Sequence, residues 1–335
     1  MSTDSFIEYF PFWEKTLDDL PQMLRRIVNN LIIRSGYSLS DVDKIAVAMT
    51  AELSDAFQTK KEGVRIIMDA LKEVFDLQKI FLICTLNKYI SFEDAASRYE
   101  LVAAANWVST ALYLGGFESQ CILIDAGSTT IDVIPIVNSV PVTTGKTDIE
   151  RLMHHELIYT GGLRATIPSI IHHVPYKGKE IRISFEKFAL ISDVHRILNN
   201  ISEEQYINDT ADNRSKSLEN CYARLARVLC MDLEEISKQE LDQIAVYIYN
   251  RQIKIISTEM RQFMTLLSKK APELAQDPKF VITGLSGKFL IRNALEGLGF
   301  NEIHDYEKIT GIPDNVSSSA HAVAGALFQQ LSLKT

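Results

Sequence analysis

The segment CILIDAGSTTIDVIPIV, residues 121–137, constrains this chain more than any other, because two apolar, β-branched runs flank a short tip of small hydroxyl residues and one glycine. Glycine turns beside strands often cradle phosphate, but the familiar kinds feed a helix whose amide end faces the anion. Here Ile131 to Val137 are strand-forming, so the reading is a β-hairpin with a polar tip. Asp125 closes the first strand and Asp132 opens the second. A carboxylate at the end of an apolar strand is costly to bury unless a metal, a cation or several amides compensate it. Gly127 lets a ligand approach the backbone, and Ser128, Thr129 and Thr130 add short hydroxyl donors, which fits a diphosphate with its Mg²⁺. The competing reading is an ordinary hairpin tip in which Asp125 accepts hydrogen bonds from its own turn.

Periodicity supplies the surroundings. A chain of 335 residues is expected to form two compact units of roughly 100 to 200 residues each. Leu17, Leu20, Leu24, Ile27 and Leu31 share one helical face that ends at Gly36; a strand KIAVAMT, a helix from Lys61 and a strand KIFLICTL follow. SFEDAASRYELVAAANWVSTALYLGG reads as one helix from a Ser91 cap to a glycine pair. This alternation implies an α/β class with strands covered by helices. The hairpin starts a second unit whose sheet is antiparallel at that point. Helical periods at 191–200 and 217–269 come next, then strand, glycine loop and helix in KFVITGLSGKFLIRNALEGLGF, and a small-residue helix, SSSAHAVAGALFQQL. NDTADNRSKSLEN is the expected mobile loop.

Composition excludes several classes. A net charge of -8 and a pI near 5.5 argue against broad nucleic-acid binding, which uses a basic face to neutralise phosphates. The N-terminus lacks a basic patch followed by an apolar stretch, and no run approaches 18 apolar residues, so neither signal peptide nor membrane span is expected. Cys84, Cys121, Cys221 and Cys230 are scattered without a C-x-x-C pair, as in a reducing, cytoplasmic compartment.

Three further stretches carry candidate chemistry. VITGLSGKFL places Gly284, Ser286 and Gly287 between strand and helix, a loop that admits a nucleoside or phosphate, or serves turn geometry alone. DIERLMHHELIYTGGLR offers Arg151 and Arg164, whose forked guanidiniums suit phosphate. The doublet His154 and His155 lacks the i, i+4 spacing of a helical metal pair and reads as solvated. Glu52, Asp55, Lys60 and Lys61 follow a strand end, either as site residues or as a charged helix start.

These motifs resemble a family. DAGSTTID looks like the second phosphate segment of the acetate and sugar kinase, Hsp70 and actin superfamily, and VITGLSG resembles its adenosine-type loop. AMTAELSDAFQTKKEGV, AAANWVSTA, LIDAGSTTIDVIPI, GKTDIERLMHHELIYTGGLRAT and RLARVLCMD occur in the order found in hydantoinase/oxoprolinase-like proteins of tetrahydromethanopterin-linked one-carbon transfer, a likeness that spans residues 8 to 330. The resemblance implies a two-lobed actin-like ATPase (ribonuclease H-like) fold, with residues 1–118 plus 315–335 as the first lobe and 119–314 as the second. It implies an archaeal, cytoplasmic transferase of methanofuran-type cofactor biosynthesis. That reaction joins an aminomethylfuran diphosphate to the phenol of γ-glutamyltyramine with Mg²⁺ as cofactor and releases diphosphate, with no nucleic-acid or membrane partner and with room for a homo-oligomer. The implied site has Asp125, Asp132 and Glu52 as catalytic residues and Asp125 on the metal. Gly127, Ser128, Thr129, Thr130, Lys60, Arg151 and Arg164 are on the diphosphate, and Gly284, Ser286 and Gly287 form the adenosine-type loop. An ATP-dependent small-molecule kinase and a non-catalytic nucleotide or metabolite binder are the alternatives. The family's usual opening, a strand with a D-x-G-G-A-N-x-K turn, does not occur in the sequence, and in-frame DNA upstream is expected to encode it. His155 also stands where the family usually has glycine.

Overall fold

The computed structural model describes residues 4–8, 10, 16–312 and 318–332; in it a three-stranded sheet and a six-stranded sheet both touch the short helix at 106–115. The chain enters through α1 (Asp19–Ser35), which stops where Gly36 turns left-handed at φ 72° and returns its N–H to Ile32. Strand β1 (Ile45–Val47), helix α2 (Lys60–Val74, capped by the Thr59 hydroxyl), β2 (Ile80–Cys84) and β3 (Lys88–Ser91) follow. β1 runs parallel to β2, and β2 antiparallel to β3.

The single helix expected after Ser91 is two, α3 (Phe92–Ser97) and α4 (Asn106–Gly115). Between them Leu101 gives its carbonyl to the Thr85 amide, and Ala104 turns left-handed at φ 53° to give its amide to Glu52. These long-range bonds override the local helical preference of an alanine run.

The second sheet is built from β4 (Gln120–Ala126), β5 (Ile131–Val137) and β6 (Val140–Pro141). Helix α5 (Asp148–Met153) and β7 (Leu157–Ile158), which pairs with β5, come next. The chain then leaves for a helical layer: the hairpin β8 (His173–Tyr176) and β9 (Lys179–Arg182), then α6 (Ile191–Ile197), α7 (Leu218–Val228) and α8 (Lys238–Lys270). The loop expected to be mobile is tied to this layer by Asp212, which pairs with Arg224 at 3.1 Å and Arg227 at 2.8 Å. After α9 (Pro272–Gln276) the chain returns to the sheet as β10 (Phe280–Thr283), α10 (Arg292–Glu296), β11 (Ile303–Asp305) and α11 (Tyr306–Thr310), and ends in α12 (Ser318–Ser332). The expected lobe boundary at residues 314 and 315 lies outside the described residues.

The strand order is β11-β10-β4-β5-β6, with β10 and β11 parallel to β4, and β5 antiparallel to both of its neighbours, β4 and β6. Both faces are covered, which is why β4 and β5 read as continuous apolar runs. Cys121, Leu123, Ile134 and Ile136 pack on α4 and α12; Ile122, Ile124, Ile131 and Val133 pack on α8 and α10. Among the described residues, no helix is long and apolar enough to cross a membrane.

Candidate active site

The β4–β5 register pairs Ala126 with Ile131 and leaves Gly127 to Thr130 as the tip, closed by the Gly127 amide on the Thr130 carbonyl at 2.9 Å. The remaining tip carbonyls face residues 160–164: Gly161 donates to Thr129, Gly162 to Gly127, and Leu163 and Arg164 both to Ser128, all within 2.8–3.0 Å. With its carbonyls turned to that loop, the tip leaves the amides of Ser128 and Thr129 without a backbone partner among the described residues. This docking requires glycine. A Cβ on Gly161 would stand 2.6 Å from the Thr129 nitrogen and 2.7 Å from the Gly127 oxygen. Fully buried Gln252, on α8, holds the loop from behind with Nε2 on the Gly161 carbonyl and the Thr160 hydroxyl, each at 3.1 Å.

A third segment closes the root of the hairpin. Gly284, at φ 82°, lies so close that a Cβ would meet the Ala126 oxygen at 2.5 Å and Asp125 Oδ1 at 2.7 Å. Ser286 is buried and sends both its amide and its hydroxyl to the Ala126 carbonyl at 3.0 Å; buried Gly287 begins the helical turn beyond. The expected adenosine-type loop thus braces the phosphate-type hairpin.

Asp125 and Asp132 face each other directly across the hairpin, and their surroundings differ. Asp132 Oδ1 accepts Arg151 Nη1 at 2.6 Å. Arg151 is 1% exposed, donates Nη2 to the Glu156 carbonyl at 2.9 Å and stacks 4.3 Å over the Trp107 ring, so its guanidinium serves Asp132 from beneath. No cation stands against Asp125 among the described ion pairs. Burial, then the charges of Asp132 and Glu307, push its carboxyl up to about 7, although part of its surface stays open. Glu307 in turn accepts the Thr283 hydroxyl at 2.6 Å. A carboxylate so placed is one that a bound cation would hold ionised. Carboxylate oxygens suit Mg²⁺, which fills its other positions with water and phosphate oxygens. No group of three His, Cys, Asp or Glu converges on a metal site among the described residues.

The other expected residues have partners of their own. Lys60 Nζ pairs with Asp148 Oδ2 at 2.7 Å, joining the first residue of α2 to the first residue of α5. Glu52 is 3% exposed, with Oε1 on the Ala104 amide at 2.7 Å and Oε2 without a partner. Arg164 contributes its backbone amide to Ser128. His155, expected to be solvated, is instead partly buried with Nδ1 2.7 Å from Glu259 of α8, on backbone held at φ 56°. Sequence reasoning did not single out Gly161, Gly162, Gln252 or Glu307. The glycine doublet was visible beside a short strand, but nothing in the helical period of α8 marks Gln252.

The hydantoinase/oxoprolinase family profile matches residues 43–328. The chain is 35% identical over 324 residues, 96% of its own length and 90% of the relative's, to the (4-{4-[2-(gamma-L-glutamylamino)ethyl]phenoxymethyl}furan-2-yl)methanamine synthase of Methanocaldococcus jannaschii. It is 36% identical over 181 residues, 54% of this chain and 77% of the relative, to a protein of the same name from Methanococcus vannielii. Among solved structures, nucleotide-free acetone carboxylase aligns with 85% of this chain and 43% of its own chain, at TM-score 0.47 and 17% identity.

Proposed function

Because the chain belongs to the hydantoinase/oxoprolinase family, we infer that it is a synthase of (4-{4-[2-(γ-L-glutamylamino)ethyl]phenoxymethyl}furan-2-yl)methanamine, an ether of methanofuran-type cofactor biosynthesis. The carrying observation is 35% identity along 96% of the chain, which includes the whole hairpin site. The reaction joins the phenol oxygen of γ-glutamyltyramine to the methylene carbon of an aminomethylfuran diphosphate, and the bond from that carbon to the diphosphate oxygen breaks.

The barrier lies in the charge that develops on the leaving diphosphate. The tip meets it with the amides of Ser128 and Thr129, which have no backbone partner among the described residues, and with their hydroxyls, held in place by the Gly161–Gly162 loop. Asp125 and Asp132 are the carboxylates on offer to Mg²⁺, which when bound neutralises diphosphate charge. Arg151 holds Asp132 in place through the 2.6 Å ion pair. The phenol, with a pKa near 10, gives up its proton as the new bond forms. The proton leaves with the released diphosphate, whose oxygens accept it. Lys60, Arg164 and the Gly284–Gly287 loop border the leaving group in this reading.

The sheet order, three antiparallel strands followed by two parallel ones, supports a ribonuclease H-like second lobe of the actin type. The return of α12 to the first sheet, with the Tyr89 hydroxyl on the Val323 carbonyl at 2.5 Å, supports assigning the C-terminal helix to the first lobe. The test is direct: aminomethylfuran diphosphate, γ-glutamyltyramine and Mg²⁺ should yield the ether and one diphosphate without ATP. ATP-dependent phosphorylation with no ether would replace this reading by that of a kinase.

A further inference from the structure

We propose that Glu52 is the receptor for a primary ammonium group of the substrates, an assignment that rests on the ether-forming reading above. The observation behind it is a buried carboxylate with half of its acceptor capacity unused. Glu52 is 3% exposed; Oε1 takes the Ala104 amide at 2.7 Å, and Oε2 has no donor among the described residues. A carboxylate in that condition is expensive until a cation or donor reaches it.

Gly63 of α2 packs on the Glu52 backbone, and three cations of α2 and α5 have partners of their own. Lys60 is on Asp148, Arg151 is on Asp132, and Lys61 lies over the Tyr99 ring. Among the described residues, none of these three cations is paired with Glu52.

Position points the same way. Glu52 sits in the loop beyond the carboxyl end of parallel strand β1, as Asp125 sits at the carboxyl end of β4, and ligands of open α/β sheets bind beyond such ends. A chain of contacts leads from Glu52 to the hairpin at Asp132. The Ala104 carbonyl accepts Trp107 Nε1 at 2.9 Å, the Trp107 ring lies under Arg151, and Arg151 grips Asp132. Ala104 holds its amide on Glu52 in a left-handed conformation, φ 53°, that non-glycine residues seldom adopt. Both substrates carry the matching group: the furan has an aminomethyl arm opposite its diphosphate, and γ-glutamyltyramine has an α-ammonium.

Glu52→Gln keeps the oxygen that accepts the Ala104 amide and removes the charge. Steady-state rates should be measured for the aminomethylfuran diphosphate against its methylfuran counterpart, and for γ-glutamyltyramine against glutaryl-tyramine, which lacks the α-amine. In the wild type one pair should favour the amine by about tenfold or more in kcat/KM, as expected for a charge-assisted contact. In Glu52→Gln that preference should collapse to about threefold or less, chiefly through KM, and the affected pair identifies which ammonium is bound. Preferences unchanged in both pairs would overturn the proposal. If Glu52→Gln melts early, binding of furfurylamine against furfuryl alcohol, and of the two tyramines, is titrated by NMR on wild type and Glu52→Asp; no amine preference in the wild type, or one that Glu52→Asp leaves intact, rejects it equally. Glu52-dependent amine binding without ether formation would keep the subsite and remove the reaction, so the two assignments fail separately.

Discussion

Replacing Asp125 with asparagine should make the metal-free protein more stable above neutral pH while removing its function. In the folded chain the carboxyl keeps its proton up to about pH 7, against 3.8 for the ordinary group. Between those values the unfolded chain releases the proton and the folded chain holds it. Stability contributed by the protonated form is therefore present at low pH, declines as pH rises from about 4 to about 7, and is gone above. A shift of about three units is worth about 4 kcal/mol at most, at roughly 1.4 kcal/mol per unit. The partly open surface of Asp125 reduces this to about 2 kcal/mol. Asparagine retains shape and hydrogen-bonding capacity without the charge. Melting curves in EDTA should show Asp125→Asn about 3 °C above wild type at pH 8, given the entropy of unfolding of a chain of this length, with the gap closing toward pH 4.5. Adding Mg²⁺ and diphosphate should raise the wild-type Tm and leave the variant where it was. A gap independent of pH, or a variant less stable at pH 8, would refute the claim that Asp125 is held against its charge.

The bracing segments give further expectations. Gly284→Ala forces a Cβ against the Ala126 oxygen and Asp125 Oδ1 at a left-handed backbone position, and should cost about 3 kcal/mol in denaturant titration. Arg151→Met leaves Asp132 without its cation and should cost about 3–5 kcal/mol, with Arg151→Lys recovering only part because the second bond to the Glu156 carbonyl is lost. Gln252→Leu unpairs the Gly161 carbonyl and the Thr160 hydroxyl behind the tip. It should lower stability by about 1–3 kcal/mol and raise KM for the diphosphate substrate more than it changes kcat; an unchanged KM would mean that the loop holds its place unaided.

The hairpin was legible because its chemistry is local: β-branched runs, a hydroxyl tip and a closing aspartate all lie within seventeen residues. The partnering of those residues was less so. Arg151 reads in sequence as a guanidinium free to meet phosphate, yet Trp107 and Asp132, 44 and 19 residues away, claim it. The break between α3 and α4 was hidden for the same reason, since alanine-rich sequence favours helix and only Glu52 and Thr85 pull the chain aside. His155 adopts a conformation suited to glycine, and its bond to Glu259 comes from a helix a hundred residues on. Periodicity reports which face of an element is buried, and it cannot report which distant polar group finds which.

The central claim is that the tip of the hairpin and Asp125 together hold Mg²⁺ and diphosphate. Calorimetric titration of diphosphate into the protein in the presence of Mg²⁺, repeated with Asp125→Asn at pH 8, tests it without any need for turnover. The account predicts saturable one-site binding to the wild type, lost in EDTA and weakened by about 30-fold or more in the variant, as expected when a charged ligand leaves a metal shell. Equal affinity in the two proteins, with both folded, would contradict it.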